Sequence, residues 1–284
     1  MNAAASLPLP LPFLTRVREN LGQFHPMERR LAEFVLDFPG DLASYNATEL
    51  ATLAGVSNAT VTRFIKRLGY ELYEDARRHV RQEKETGSPI FLASRNADVE
   101  SHFSDQLARS QKNLQRTMDQ LNKSEVDRIA RSLLSARKVW VVGFRSSQSF
   151  ASYFRWQIFQ TKEDIYVVPN AGDTLAQYTA SMTPPDVVVV FGLRRRPAGL
   201  REVVAQIVKT GARVLYITDD QLARSQEVTW HVRCRCESDS PLDDHTAVIR
   251  VCHLLASRVL ELAAPQERER LARIESNYDA LHEL

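Results

Sequence analysis

The chain has 284 residues, of which 44% are hydrophobic and 25% charged, with a formal net charge of +2. That length is enough for two domains with separate cores, the composition is that of an ordinary soluble globular protein, and the small net charge names no partner. No run of about 18 uncharged apolar residues occurs, which excludes a helical membrane span. The three cysteines are an odd set without metal-ligand spacing, which argues against a disulfide framework or a structural metal, so neither metal nor other cofactor is expected. Residues 1–12 are apolar and Pro-rich but lack a basic leader; they read as a disordered arm, and the expected compartment is the reducing cytoplasm. Cys234 and Cys236 would share a strand face, as a redox pair would, yet they read as ordinary strand residues.

Residues 13–85 read as an all-α domain. Over 13–24, Leu14, Val17 and Leu21 recur at helical spacing; over 27–38, Leu31, Phe34, Val35 and Phe38 do the same, and Pro39-Gly40 ends the segment. Residues 41–46 read as a connection. A short helix follows over 47–54, then the turn Gly55-Val56, then a second helix within 57–69. In that second helix Val61, Phe64, Ile65 and Leu68 fall on one side, and Ala59, Thr62, Arg63 and Lys66 on the other. Ser57 is a good N-cap, and Gly69 a good stop because it tolerates positive φ. Residues 72–81 form one more helix, ending in Arg77, Arg78 and Arg81.

Through residue 85, eleven bases meet eleven acids, so attraction to DNA must come from placement. The stretch 57–69 holds three bases and no acid. A short helix, a glycine turn and a capped helix with a basic outer face describe a DNA-reading helix-turn-helix. The groove and phosphate candidates are Ser57, Asn58, Thr60, Thr62, Arg63, Lys66 and Arg67. A plain helical hairpin with a solvated basic face is the competing reading. The residues Leu50-Ala51, Val56-Ser57, Ala59-Thr60-Val61, Arg63-Phe64 and Lys66-Arg67-Leu68-Gly69-Tyr70 resemble the N-terminal domain of the RpiR/MurR transcription regulators, including positions that a generic helix-turn-helix does not require.

Thr86-Gly87-Ser88-Pro89 marks a linker over 86–97. Residues 98–121 then form a long helix with a stripe of Phe103, Leu107, Leu114, Met118 and Leu121, suited to a dimer contact or to packing on its own domain; 124–136 form a second. From 138 onward, short apolar runs rich in β-branched residues (138–143, 164–169, 186–191, 213–218 and 228–233) alternate with helical segments at 147–160, 172–181, 199–210 and a short piece near Leu222. The fold expected over 98–284 is therefore α/β, with a five-stranded parallel doubly wound sheet, closed by helices at 241–263 and 266–282. Ligands bind such sheets at the carboxyl ends of the strands.

Two strand-end loops suit an anion. Gly143-Phe144-Arg145-Ser146-Ser147 offers a guanidinium, two hydroxyls and helix-start amides; Gly192-Leu193-Arg194-Arg195-Arg196-Pro197 offers three guanidinium groups, unless it is simply a solvated basic loop. The ligand candidates are Arg145, Ser146, Ser147, Arg194, Arg195 and Arg196. This half is similar to the sugar-isomerase-type (SIS) sensor domain of the same family, through Gly143 to Ser147, through Gly211-Ala212 to Ile217-Thr218, and at Ser240-Pro241-Leu242. The family's usual Ser-x-Ser-Gly-x-Thr loop after the third strand is here Phe191-Gly192-Leu193-Arg194-Arg195-Arg196, so another organic anion competes with a sugar phosphate as ligand.

The resemblance implies a homodimeric or homotetrameric regulator of double-stranded operator DNA, responsive to a small anionic metabolite. The alternative is an aldose–ketose sugar-phosphate isomerase, which needs a general base. His245, Asp243, Asp244 and His231 are the residues available for it, although His231 reads as a packed strand residue and the two acids as helix-start charges. No catalytic residue is expected.

Overall fold

The computed structural model describes residues 11–37, 41–85, 99–238 and 242–283. The expected linker, most of the expected arm, Phe38 to Gly40 and Ser240-Pro241 lie outside them. The chain divides into two compact units: one holds the described residues up to Ser104 together with Leu242, and the other holds Asp105–Ser238 and the described residues from Asp243 onward.

The first unit is helical: α1 (Phe13–Glu19), a 3-10 turn (Leu21–Gln23), α2 (Pro26–Asp37), α3 (Asp41–Ser44), α4 (Ala47–Ala54), α5 (Asn58–Arg67) and α6 (Tyr73–Glu85). Two expectations change. The first helix stops at Glu19, where the Asn20 amide side chain donates to Arg16 O at 2.9 Å. The expected connection 41–46 instead begins with α3, whose Leu42 and Ala43 join the core. That core also gathers Phe13, Val17, Leu31, Val35, Leu50, Val61, Phe64 and Ile65.

Helix ends in this unit are closed by their own sequence. Asn46 and Glu49 form a reciprocal capping box at the start of α4. At its end Gly55 sits at φ 63°, with Val56 N donating to Ala51 O at 2.9 Å and Gly55 N to Thr52 O at 3.1 Å. Helix α5 ends the same way: Gly69 lies at φ 88°, and Tyr70 N donates to Ile65 O at 3.2 Å.

The second unit opens with α7 (Val99–Asp119, begun in the first unit) and α8 (Lys123–Ser135). Then come β1 (Val139–Gly143), α9 (Ser147–Phe159), β2 (Ile165–Val168), α10 (Leu175–Thr179), β3 (Val187–Gly192), α11 (Leu200–Lys209), β4 (Arg213–Asp219), β5 (Trp230–Cys234), α12 (Thr246–Leu262) and α13 (Pro265–Leu281). The sheet is parallel throughout, with strand order β2-β1-β3-β4-β5. One face packs on α8, α9 and α12 through residues such as Leu133, Phe154 and Val251; the other packs on α11 through Val204 and Ile207. Every residue of β1 and β3 is buried, which is why those runs are continuously apolar rather than alternating.

Here too some bounds move. Helix α10 is shorter than its expected 172–181, and no helix forms near Leu222. Helix α12 starts at Thr246 rather than 241, because Asp244 Oδ1 accepts both the Thr246 amide at 2.9 Å and its hydroxyl at 2.6 Å. No helix among the described residues is long and apolar enough to cross a membrane. Cys234, Cys236 and Cys252 are buried free thiols whose pKa values burial pushes up, so they stay protonated and unreactive.

Candidate functional site

Two sites follow, one in each unit. On α5, Ser57, Asn58, Ala59, Thr62, Arg63, Lys66 and Arg67 are exposed, while Val61, Phe64 and Ile65 face inward. The helix carries three bases and no acid, so its outer face is positive. Ser57 Oγ accepts the Thr60 amide at 3.2 Å, which satisfies a donor of the first turn. Asn58 Nδ2 donates to Thr48 Oγ1 at 3.2 Å and Thr62 Oγ1 to Asn58 O at 3.1 Å, so these side chains are held by neighbouring helix groups.

Two of the residues expected to touch DNA are engaged otherwise. Thr60 is only 3% exposed. Its hydroxyl lies 3.0 Å from Ser57 Oγ and accepts from Arg63 Nη2 at 3.4 Å, so it braces Ser57 and Arg63 from beneath. Arg67 Nε lies 3.3 Å from Oε2 of Glu28, whose side chain is 3% exposed, and Arg67 Nη1 donates to Gln23 O at 3.3 Å. That guanidinium ties α5 to α2. One further cation was not legible from the sequence: a Cβ on Gly55 would lie 2.5 Å from Nη2 of the exposed Arg30, so the α2 side chain lies across the turn that precedes α5.

The far end of α5 is held by a half-buried network. Arg16 Nη1 donates to Leu68 O at 3.2 Å and stacks 4.9 Å over the Tyr70 ring. Tyr70 Oη lies 2.6 Å from His79 Nδ1, and His79 Nε2 lies 3.3 Å from Glu83 Oε1. The same Glu83 oxygen accepts the Phe13 amide at 2.8 Å, joining α1 to α6. Burial lowers the pKa of His79 and raises those of Glu83 and Tyr70, the last to about 12.

The second site lies at the carboxyl ends of the strands. In the order β2-β1-β3 the chain reverses direction of winding between β1 and β3, and Gly143 pairs with Phe191, so the loops after these strands leave from adjacent positions. Gly143 has no room for a side chain, because a Cβ would lie 2.5 Å from Ser147 O. Arg145 takes φ 54° and is exposed, Ser146 is exposed, and Ser147 is 3% exposed.

The β3 loop is neither solvated nor an open fork. Arg196 Nε donates to Gly192 O at 2.8 Å and its Nη2 bonds to Asp219 Oδ2. The same carboxylate oxygen accepts the Arg194 amide at 2.8 Å. Arg194's side chain is 3% exposed, with Nε 3.1 Å from Asp243 Oδ2. Its N–H bonds point elsewhere: neither Nε nor Nη1 makes a hydrogen bond among the described residues. Arg195 is half-buried. The reading of this run as a simply solvated basic loop is therefore corrected. Two of its guanidinium groups turn in, because Asp219 and Asp243 stand at the ends of β4 and before α12.

Of the groups considered for isomerase chemistry, Asp243, Asp244 and His231 are engaged by polar partners, and His245 makes a ring contact. Asp243 faces Arg194. Burial alone would raise Asp244, but hydrogen bonds from Ser110, Thr246 and Asn113 outweigh it and lower its pKa. The His245 ring packs 5.0 Å from Phe150. His231, on β5, accepts the Ser225 amide at Nδ1 (2.8 Å), so its proton sits on Nε2, which donates to Thr218 Oγ1 at 2.9 Å. Burial, reinforced by Arg233, Arg224 and Arg196, lowers its pKa to about 4, so it is neutral. Among the described residues no cluster of three or more His, Cys, Asp or Glu side chains is placed to hold a metal.

Comparison with known proteins matches residues 12–87 to the model described as "Helix-turn-helix domain, rpiR family" and residues 132–258 to that of the SIS domain. The HTH-type transcriptional regulator HexR of Escherichia coli K12 is 24% identical over 284 residues, spanning 94% of this chain and 96% of its own. HexR of Pseudomonas aeruginosa is 24% identical over 253 residues, 87% of this chain and 88% of its own. Vibrio vulnificus NanR, solved in complex with ManNAc-6P, shares the fold with a TM-score of 0.56 at 17% identity, covering 95% of this chain and 98% of that one. The sugar isomerase domain of an RpiR transcription factor from Sphaerobacter thermophilus has a TM-score of 0.55 at 18% identity, covering 62% of this chain and 97% of that one. With a helix-turn-helix model and a SIS model matched in sequence, the chain belongs to the RpiR family of DNA-binding transcription regulators.

Proposed function

We propose that the second unit senses a small anionic metabolite, a sugar phosphate or another organic anion, and that its binding changes operator affinity. The observation that carries this reading is Arg194: its guanidinium is buried, and its Nη1 has no hydrogen-bond partner among the described residues. Buried cationic donors are rarely left unpaired, and a phosphate or carboxylate supplies the missing acceptors. Arg145 and Ser146, exposed on the neighbouring loop, complete the anion site together with Ser147 and Arg195. Arg196 holds the loop through Asp219. NanR, of similar fold, was solved with a sugar phosphate, which supports this ligand class.

On the DNA side, Ser57, Asn58, Thr62, Arg63 and Lys66 contact the groove or phosphates, Arg30 adds a phosphate contact, and Thr60 and Arg67 position them. The protein works in the cytoplasm as a homodimer or homotetramer, with two recognition helices about one helical turn of DNA apart, and it regulates without turnover. A thermal-shift screen of phosphorylated sugars and organic acids tests the sensor. Hits are expected with the native protein and lost in Arg194→Ala and Arg145→Ala; hits unchanged in both variants would place the ligand elsewhere.

A further inference from the structure

Among the described residues of α7 the most buried positions are polar. Asn113 is 2% and Thr117 0% exposed, whereas Leu114 and Met118 are only half-buried. With Ser110 they recur at intervals of three and four, so they line one side of the helix. Each is spent on the segment that follows β5. Thr117 Oγ1 accepts the Arg235 amide at 2.8 Å. Asn113 Nδ2 donates to Glu237 O at 2.7 Å and reaches Asp244 Oδ2 at 3.5 Å, and Ser110 also bonds to Asp244. Arg109 adds an ion pair to Glu237 at 3.0 Å, and Asp244 N closes the segment onto Cys236 O at 3.2 Å.

Asp244 adjoins Asp243, the acid set against Arg194. Residues up to Ser104 belong to the first unit and those from Asp105 to the second, so α7 is also the stretch by which the chain leaves the DNA-binding unit. A helix seated by a few directional polar bonds has a specific register, and it loses that register when its acceptors move; an apolar seat would tolerate the shift.

We propose that the anion competes with Asp243 for the Arg194 guanidinium, and that α7 reads the displacement of the Asp243-Asp244 segment through Asn113 and Thr117. This rests on the anion site of the previous section and assigns its route of regulation. No bond is made or broken covalently: Arg194 exchanges one anionic partner for another, Asp243 is released, and Asp244 carries the movement to α7. An effector can shift the equilibrium only through such a differential contact.

The test uses the full chain and an operator fragment selected from random duplexes. Without any ligand, Arg194→Ala is expected to change operator Kd by about 5-fold or more in the native background, and by less than about 2-fold beside Asn113→Leu. Thr117→Val is the second background, should Asn113→Leu fail to fold. Equal effects of Arg194→Ala in every background, or no effect in the native one, overturn the relay.

Inorganic phosphate, titrated at constant ionic strength and followed calorimetrically, separates the two readings. It is expected to bind the native and Asn113→Leu proteins alike, to bind Asp243→Asn several-fold tighter, and not to bind Arg194→Ala. Weaker binding by Asp243→Asn overturns the competition. Failure of the native protein to bind sinks the anion site as well, while additive operator effects with phosphate binding intact sink only the relay.

Discussion

Arg67 and Lys66 are adjacent cations on α5, yet their surroundings assign them different work. Lys66 is exposed on the outer face, whereas Arg67 pairs with Glu28, which retains only the His25 amide at 3.0 Å if the guanidinium is removed. Arg67→Ala is therefore expected to cost about 1–2 kcal/mol of stability, toward the lower end of the range for stranding a buried acceptor, because the truncated side chain lets water reach the carboxylate. Operator affinity falls with it, but the salt dependence stays near that of the native protein, since no phosphate contact is lost.

Lys66→Ala and Arg63→Ala should leave the unfolding midpoint unchanged, and each should reduce the slope of log K against log salt by about 0.9 for every phosphate contact removed. Fluorescence anisotropy on operator DNA between about 50 and 200 mM salt, paired with urea unfolding of the same proteins, measures both quantities. The reasoning is refuted if Arg67→Ala lowers the salt slope as Lys66→Ala does and leaves the urea midpoint in place.

Other expectations follow from the same geometry. Gly55→Ala meets both a left-handed backbone at φ 63° and the Arg30 guanidinium, and should lose about 1–2 kcal/mol in thermal or urea unfolding; a neutral result would mean the turn relaxes freely. Asp219→Asn removes the carboxylate charge paired with the buried Arg196 and should destabilise the protein by roughly 3 kcal/mol, whereas a loss under about 1 kcal/mol would show that the pair is already screened. His231 has a folded pKa of about 4, below its unfolded value, so its contribution is fully present above the unfolded pKa and is lost as pH falls from there through the folded value. Over that window, about pH 6.5 down to 4, roughly 2–3 kcal/mol should disappear. His231→Asn should flatten this part of the stability profile, and an unchanged profile would contradict the assignment.

Local order determined much of this protein. The inward set Val61, Phe64, Ile65 and Leu68 followed from spacing alone, because a helix places such residues on one side whatever it packs against. Likewise the β-branched runs of β1 and β3 suit strands buried on both faces, and Gly55 and Gly69 end their helices in a left-handed conformation that glycine adopts without the strain of a side chain.

What spacing could not contain is which distant groups meet. Arg67 reads as one more DNA candidate of the basic stretch, and only the approach of α2 brings Glu28 to it. Arg194 and Arg196 read as a basic loop until the order β3-β4 sets Asp219, 25 residues beyond Arg194, at the neighbouring strand end. Charges pair through space, and their attraction is decided by distance and burial, which strand order and helix packing supply and residue periodicity does not.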